Sequence, residues 1–309
     1  MTGIFILDKP EGFTSFDAVA VARRLFGQKK IGHTGTLDPM ATGVLPLLLG
    51  RATRAESLLP DTEKEYSASF ALGTRTDTGD ITGESIGHTD ARISREQLFA
   101  VLPRFRGEIL QVPPMYSAIK KDGKRLYELA RKGIEVEREA RPVTIGRLEL
   151  LRFDEEQQAG ELLVSCSKGT YIRALIEDLA AAAGTLGTMT ALRRTRACGF
   201  SLAEAVPLDE ARRLAETEDL SALVRPVEGL FAVYPAVTVS TAQAARFSNG
   251  GALEKARTSL RGNPLADGER LRVLGPDGQF LGLAETAEGE LRVLRLFCEP
   301  SPGRKETQA

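Results

Sequence analysis

Between Val44 and Leu49 the chain is apolar without a break, the pattern of a strand covered on both faces. Residues 3–7 read as a second, short strand. Thr14 or Ser15 is placed to cap a helix running to about Phe26, with Asp17 in the first turn, where the helix dipole favours an acid. Along that helix Phe16, Val19 and Ala20 outline an apolar face, and Arg23 and Arg24 a basic one. Residues 52–59 suit a short helix. Residues 66–72 alternate partly with period two, as a half-buried strand does. Ser94 with Gln97 carries the signature of a capping box opening a helix to about Phe105.

The pattern changes over residues 113–141. Pro113-Pro114 opens the stretch, residues 120–124 form a polar turn, and a charged helix is expected to follow. Residues 143–151 and 161–167 read as strands joined by an acidic turn at 154–158. Over 170–183, Ile172, Leu175, Ile176 and Leu179 repeat at helical spacing, and Gly184 stands where a helix stops. Residues 208–217 suit another helix. A boundary is expected around 225–236, giving one unit over 1–234 and a second over 235–299. The second reads as a small β-rich module, with Asp277-Gly278 as a hairpin turn between apolar runs. Residues 300–309 are expected to be a loose tail.

A chain of 309 residues with 42% apolar content supports one large core and a small additional unit. The net charge of −1 gives no global basic signature, so a polyanionic partner would have to be met by local patches. Two exist. Between Lys120 and Lys132 there are six Lys or Arg against two acids, and Arg193, Arg194 and Arg196 form a second cluster. Contacts of this kind to a phosphate backbone are salt-dependent. Cys166, Cys198 and Cys298 are scattered and odd in number, so neither a disulfide framework nor a paired-cysteine metal motif is visible. His33 and His88 leave too few ligands for a zinc site. No run approaches the ~20 apolar residues of a membrane span, and the N-terminal apolar run is too short for a signal peptide. A reducing, cytoplasmic setting is expected.

The candidate chemistry begins at Asp38, within Gly32-His33-Thr34-Gly35-Thr36-Leu37-Asp38-Pro39-Met40-Ala41-Thr42-Gly43. Glycines let the backbone turn tightly, and Pro39 pushes Asp38 away from helical geometry. A carboxylate on a stiff loop beside a buried strand suits a catalytic group; an aspartate merely capping a turn fits as well. Residues 27–34 have phosphate-loop spacing, but His33 stands where lysine is required, which argues against nucleotide binding. Cys166-Ser167-Lys168-Gly169-Thr170-Tyr171-Ile172-Arg173 joins a strand end to a helix start, placing Tyr171 and Arg173 in the first helical turn. Arg173 is suited to pair with an acid and hold it ionised; an exposed arginine beside a half-buried tyrosine is the plainer alternative. Arg75-Thr76-Asp77-Thr78-Gly79-Asp80 lacks the length of a calcium loop. It reads as a turn with Asp capping backbone N–H groups, with an Arg–Asp pair as a second way of ordering it.

Taken together, these segments resemble the bacterial tRNA pseudouridine-55 synthase family, the TruB type. The matching motifs are Leu7-Asp8-Lys9-Pro10, the Asp38 loop, Arg75-Thr76-Asp77, Met115-Tyr116-Ser117-Ala118, Lys168-Gly169-Thr170-Tyr171-Ile172-Arg173 and Leu192-Arg193-Arg194. They occur in the family's order over about residues 3–200; residues after 235 resemble, more weakly, a PUA-like RNA-binding module. The resemblance implies an α+β fold, a mixed and largely antiparallel sheet flanked by helices with the site in a central cleft. It implies isomerisation of a T-loop uridine at position 55 of tRNA, with no cofactor, metal or obligate protein partner. Asp38 would be the nucleophile, on C6 of the base or C1′ of the sugar, and Arg173 its partner. Tyr66 would stack on the target base, Tyr171 and Leu192 would wall the pocket, and Lys9 with Pro10 would buttress it. The uridine must be extruded to reach Asp38, and His33 would fill the vacated stack. The basic segment at 113–141 would clamp the T-arm, with Lys120, Lys121, Lys124, Arg125, Lys132 and also Arg193 meeting the RNA backbone. Glu65 departs from the family, where a basic residue is common before the tyrosine. The alternative is an RNA chaperone acting on the tRNA elbow without chemistry, which would not need the set Asp38, Tyr66, Tyr171 and Arg173.

Overall fold

The structure is a computed structural model and describes residues 1–217, 219–262 and 265–300. Among the described residues an eleven-stranded sheet runs Val206–Pro207, Gly3–Lys9, Thr42–Leu49, Gly187–Ala197, Lys64–Leu72, Ala159–Cys166, Arg141–Asp154 and Gly107–Gln111, with three short strands alongside. Neighbours along this path are antiparallel except at two places. Gly3–Lys9 lies parallel to Val206–Pro207, and Thr42–Leu49 lies parallel to Gly187–Ala197. This is the mixed, largely antiparallel sheet with flanking helices that the resemblance implied.

The patterns explain the best-covered strands. Residues 43–49 are all buried, so the unbroken apolar run has protein on both faces. In Lys64–Leu72, Tyr66, Ala68, Phe70 and Leu72 are buried and their neighbours are not, a period of two. Of the two expected caps for the helix Ser15–Leu25, Thr14 is the one used, and Asp17 does more than meet the helix dipole: the two are bonded reciprocally as a capping box. Its inward face is Ser15, Ala18, Val19 and Ala22, and Phe16 points to solvent instead, with Arg23 over its ring. The capping box at Ser94 opens Arg95–Val101, and a 3₁₀ turn continues to Phe105 past Pro103. Residues 50–58 form a 3₁₀ segment. Gly184, with φ of 88°, ends the helix Ile172–Ala183 in left-handed geometry.

Two strands lack an obvious sequence pattern. Gly187–Ala197 lies in the middle of the sheet although it contains three arginines, because the fully buried Arg194 side chain is held by carbonyl oxygens. Gly107–Gln111 is an edge strand with little apolar signal. The expected charged helix after residue 124 is only the five-residue Leu126–Ala130. It follows a hairpin of Lys120–Lys121 and Lys124–Arg125, whose turn uses positive φ at Asp122 and Gly123.

A second sheet of five strands has the order Ala236–Thr238, Arg270–Leu274, Phe280–Ala287, Glu290–Leu296 and Leu253–Glu254. The expected turn at 275–278 joins its second and third strands. Its inner face packs with Phe247 of the helix Thr241–Ser248. Ile4, Ile6 and Val44 of the large sheet share a cluster with Phe231, Leu283 and Phe297, so apolar contacts join the two sheets. Residues 301–309, most of the expected tail, lie outside the described residues.

Candidate active site

Asp38 lies on the loop between the strands Ile31–His33 and Thr42–Leu49. The loop is fastened from below by residues 9–15. The buried Lys9 ammonium donates to the carbonyls of Pro10 (2.8 Å), Phe13 (2.6 Å) and Pro39 (3.3 Å). The Ser15 hydroxyl accepts from the Leu37 N–H at 2.8 Å and donates to the Leu37 carbonyl at 3.1 Å. Burial pushes the Lys9 pKa down to about 8, against the opposing pull of the Asp38 charge. Lys9→Met would leave carbonyls without their donor beneath the Asp38 loop. A stability loss of about 2–3 kcal/mol is expected from the urea midpoint at constant slope.

Arg173, the second residue of the helix Ile172–Ala183, is the hub of the site. Its Nη2 lies 3.0 Å from Asp38 Oδ2 and its Nε 3.7 Å from Asp80 Oδ2. Nη1 donates to the Thr78 carbonyl at 2.6 Å, and Nη2 to the Tyr116 carbonyl at 2.9 Å. The Arg173 side chain is 6% exposed and that of Asp38 37%, so the carboxylate is held from the buried side and open to a reactant on the other. Asp80 is also buried; its Oδ1 accepts from the Thr82 N–H and the Thr78 hydroxyl, each at 3.0 Å. The loop at residues 75–80 is therefore ordered both by capping aspartates and by an Arg–Asp contact, with Arg173 as the arginine.

Tyr171 is not in the first helical turn. It is the N-cap residue, with φ of −105°, because Gln111 clamps its backbone. Tyr171 N–H donates to Gln111 Oε1 at 2.8 Å, and Gln111 Nε2 donates to the Tyr171 carbonyl at 3.1 Å. Tyr66 is buried in the strand Lys64–Leu72. Burial raises the pKa of both phenols, and the Asp38 charge acts on both in the same direction. Both rings are therefore neutral at pH 7, and neither is a ready base. Leu192 is buried on the central strand opposite Ala68. His33 accepts from the Gly35 N–H through Nδ1 at 3.2 Å. Its pKa is lowered by burial and then by the Arg194 cation, which favours the neutral ring.

The basic residues divide. Lys120, Lys121, Lys124, Arg125 and Lys132 are exposed. Arg193 is not a free cation: it donates to Asp8 Oδ2 at 2.7 Å and to the Thr42 hydroxyl at 3.2 Å. A cavity of about 490 Å³ opens on a side of Arg173 that Asp38 does not line, bounded by Met115, Tyr116, Ile134, Arg138 and Glu177. Arg194, read from the sequence as part of a basic surface cluster, is instead fully buried and held by the Val44 and Gly35 carbonyls, and Asp80 and Gln111 were given no site role from the sequence. Asp80 stood in a segment already noted for its acids, whereas Gln111 carries no local signal. Among the described residues no group of three or more His, Cys, Asp or Glu is arranged to hold a metal, and no helix is long and apolar enough to cross a membrane.

Three family models tile the chain. Residues 23–172 match the TruB family pseudouridylate synthase N-terminal domain, and 173–232 the tRNA pseudouridylate synthase B C-terminal domain. Residues 235–297 match the pseudouridine synthase II TruB C-terminal model. In a crystal structure of a Cbf5-Nop10-Gar1 complex, one chain shares the fold, with a TM-score of 0.71 and 24% identity over 96% of this chain and 85% of that one. Fold and family models together define the class: the protein is a pseudouridine synthase. A relative from Azoarcus sp. strain BH72, tRNA pseudouridine synthase B, is 47% identical over 296 residues, 96% of this chain and 95% of its own length. The relative of the same name from Burkholderia mallei is 44% identical over 96% of this chain and 97% of its own length. The chain belongs to the TruB family.

Proposed function

We propose that this enzyme isomerises a uridine in the T-loop of tRNA, at position 55, to pseudouridine, with Asp38 as nucleophile. The observation that carries the reading is the carboxylate of Asp38, open on one side and bound on the other by a buried guanidinium at 3.0 Å. A charge-assisted contact of this kind fixes the direction of attack. Asp38 bonds to C1′ or to C6 and the C1′–N1 bond of the uridine breaks; the freed base turns, C5 joins C1′, the bond to Asp38 breaks to return the free carboxylate, N1 takes up a proton and the C5 proton leaves to water. Tyr66 packs on the extruded base, Tyr171 and Leu192 wall the pocket, and His33 fills the gap left in the T-loop stack. The neutral His33 ring suits stacking among bases. The unit over 1–234 performs the chemistry, and the β-rich unit over 235–299 is a PUA-like RNA contact. A tRNA substrate places the enzyme in the cytoplasm.

The test is tritium release. A T-arm stem-loop labelled at uridine C5 is expected to release about one equivalent of tritium to water, because one C5 proton is lost per turnover. Release from an unstructured uridine-containing oligomer at the same rate would overturn the T-loop assignment.

Lys120, Lys121, Lys124, Arg125 and Lys132, exposed on and after the hairpin, are proposed to meet the T-arm backbone. Arg193 supports the site through Asp8 instead. Changing Lys120, Lys121, Lys124 and Arg125 together to glutamine is expected to weaken RNA binding and to flatten the plot of log K against log salt by about 0.7–0.9 per lost contact. Filter binding over a salt series checks this, and an unchanged slope would remove the clamp from the reading.

A further inference from the structure

The loop that carries Asp38 passes over two cations, Lys64 and Arg194, that form no ion pair with an acid among the described residues. A Cβ placed on Gly35 would lie 3.2 Å from Lys64 Nζ and 3.6 Å from Arg194 Nη1, so both nitrogens converge on one point that glycine leaves open. Arg194 is fully buried; its Nε donates to the Val44 carbonyl at 2.7 Å and its Nη2 to the Gly35 carbonyl at 3.1 Å. Its Nη1 has no partner at hydrogen-bond distance, and the polar side chain closest in influence is the neutral Tyr66 phenol, on which the Arg194 cation acts. The ammonium of the half-buried Lys64 forms no hydrogen bond or ion pair among the described residues. The charged and titratable groups facing it are Arg194, Lys168, Cys166 and Cys198, with no carboxylate among them. The adjacent Glu65 is turned to Thr195 and Arg147. A half-buried ammonium beside a buried guanidinium repels it in a medium that screens poorly, and a bound anion is the partner that relieves both.

We propose that Lys64, backed by Arg194 beneath Gly35, is an anion subsite that takes the RNA backbone phosphate next to the extruded uridine. This rests on the RNA-isomerase reading above. Lys64 and Tyr66 are two residues apart on one strand, so their side chains share a face, roughly 6–7 Å apart along it. Gly35 is three residues before Asp38 on the same loop. A phosphate held at Lys64 is thus adjacent to a base resting on Tyr66. Burial also pulls the Lys64 pKa down, followed by the Arg194 charge, which is the strain that an anion would reverse. The exposed lysines of the 120–132 segment differ in kind: they attract the backbone in general, whereas Lys64 addresses one phosphate.

The test uses T-arm stem-loops carrying a single neutral methylphosphonate, moved one phosphate at a time around the target uridine. Binding is measured in the Asp38→Asn background so that no turnover intervenes. Lys64→Gln is expected to weaken the unmodified RNA about fivefold to tenfold and to flatten the salt slope by about one. Without that substitution, one methylphosphonate flanking the target uridine should cause a similar loss. With Lys64→Gln, that same methylphosphonate should cause no further loss, and Lys64→Arg should restore sensitivity to it. Gly35→Ala, which obstructs the point of convergence without removing charge, should lose affinity at the same phosphate. Unchanged binding by Lys64→Gln, or further losses at every sensitive position, would overturn the subsite. Tritium release by the unsubstituted enzyme is measured in parallel. Release without the phosphate coupling rejects the subsite alone, and no release rejects the isomerase reading beneath it.

Discussion

Asp38→Asn is expected to reduce tritium release from C5-labelled T-arm RNA by at least about 10⁴-fold, the scale on which enzymes lose turnover when a nucleophile is removed. The amide keeps the size of the carboxylate and can still meet Arg173 through its oxygen, but it cannot form the bond to C1′ or C6. The fold should survive, because the loop is held by Lys9, Ser15 and Pro39 rather than by the Asp38 side chain. RNA affinity should stay within a few-fold of the parent, since phosphate contacts supply most of such binding. The same variant separates the enzyme from a pure chaperone. A chaperone would refold tRNA equally well with asparagine and would release no tritium with either residue. Turnover near the parent rate in the folded variant would remove Asp38 from the chemistry.

What could be read from the chain follows how local each feature is. The strand at Val44–Leu49, a helix cap at Thr14 and the capping box at Ser94 were legible because their causes lie within a few residues. The central strand Gly187–Ala197 was not, because Arg194 occupies an inward position that a period-two pattern reserves for apolar side chains. Its guanidinium is tolerated there only because two carbonyls from the distant residues 35 and 44 meet it. Phe16 misled in the opposite direction, as an exposed aromatic ring that counted toward an apolar face. In the site, Asp38 was marked by the glycines and proline around it, and Arg173 by its place after a strand and a turn. The bond between them joins residues 135 positions apart, and the motifs suggested it only once read together. Gln111 holds Tyr171 from an edge strand without apolar alternation, a contact made by tertiary structure alone.

Arg173 variants test the electrostatic design of the site, and their effects are expected to be nearly as large as those at Asp38. One guanidinium meets Asp38, Asp80, the Thr78 carbonyl and the Tyr116 carbonyl, in directions that a planar fork can span. A lysine ammonium is a compact point charge and cannot reach all four. Arg173→Lys is therefore expected to keep the fold and lower the single-turnover rate by about 10²–10³-fold. Arg173→Met leaves the buried Asp80 carboxylate without its cation and should in addition cost about 3–5 kcal/mol of stability. Asp80→Asn gives the discriminating comparison. The amide oxygen can still accept from Thr82 and Thr78, so the loop stays closed, but the charge that holds Arg173 Nε is gone. If Asp80 acts by positioning Arg173, its loss should lower the single-turnover rate while leaving RNA affinity nearly unchanged. In the Arg173→Lys background, Asp80→Asn should then add far less than its separate effect, because both changes disable one network. Strict additivity in that cycle would mean that Asp80 serves only the loop at residues 75–80 and that Asp38 depends on Arg173 alone.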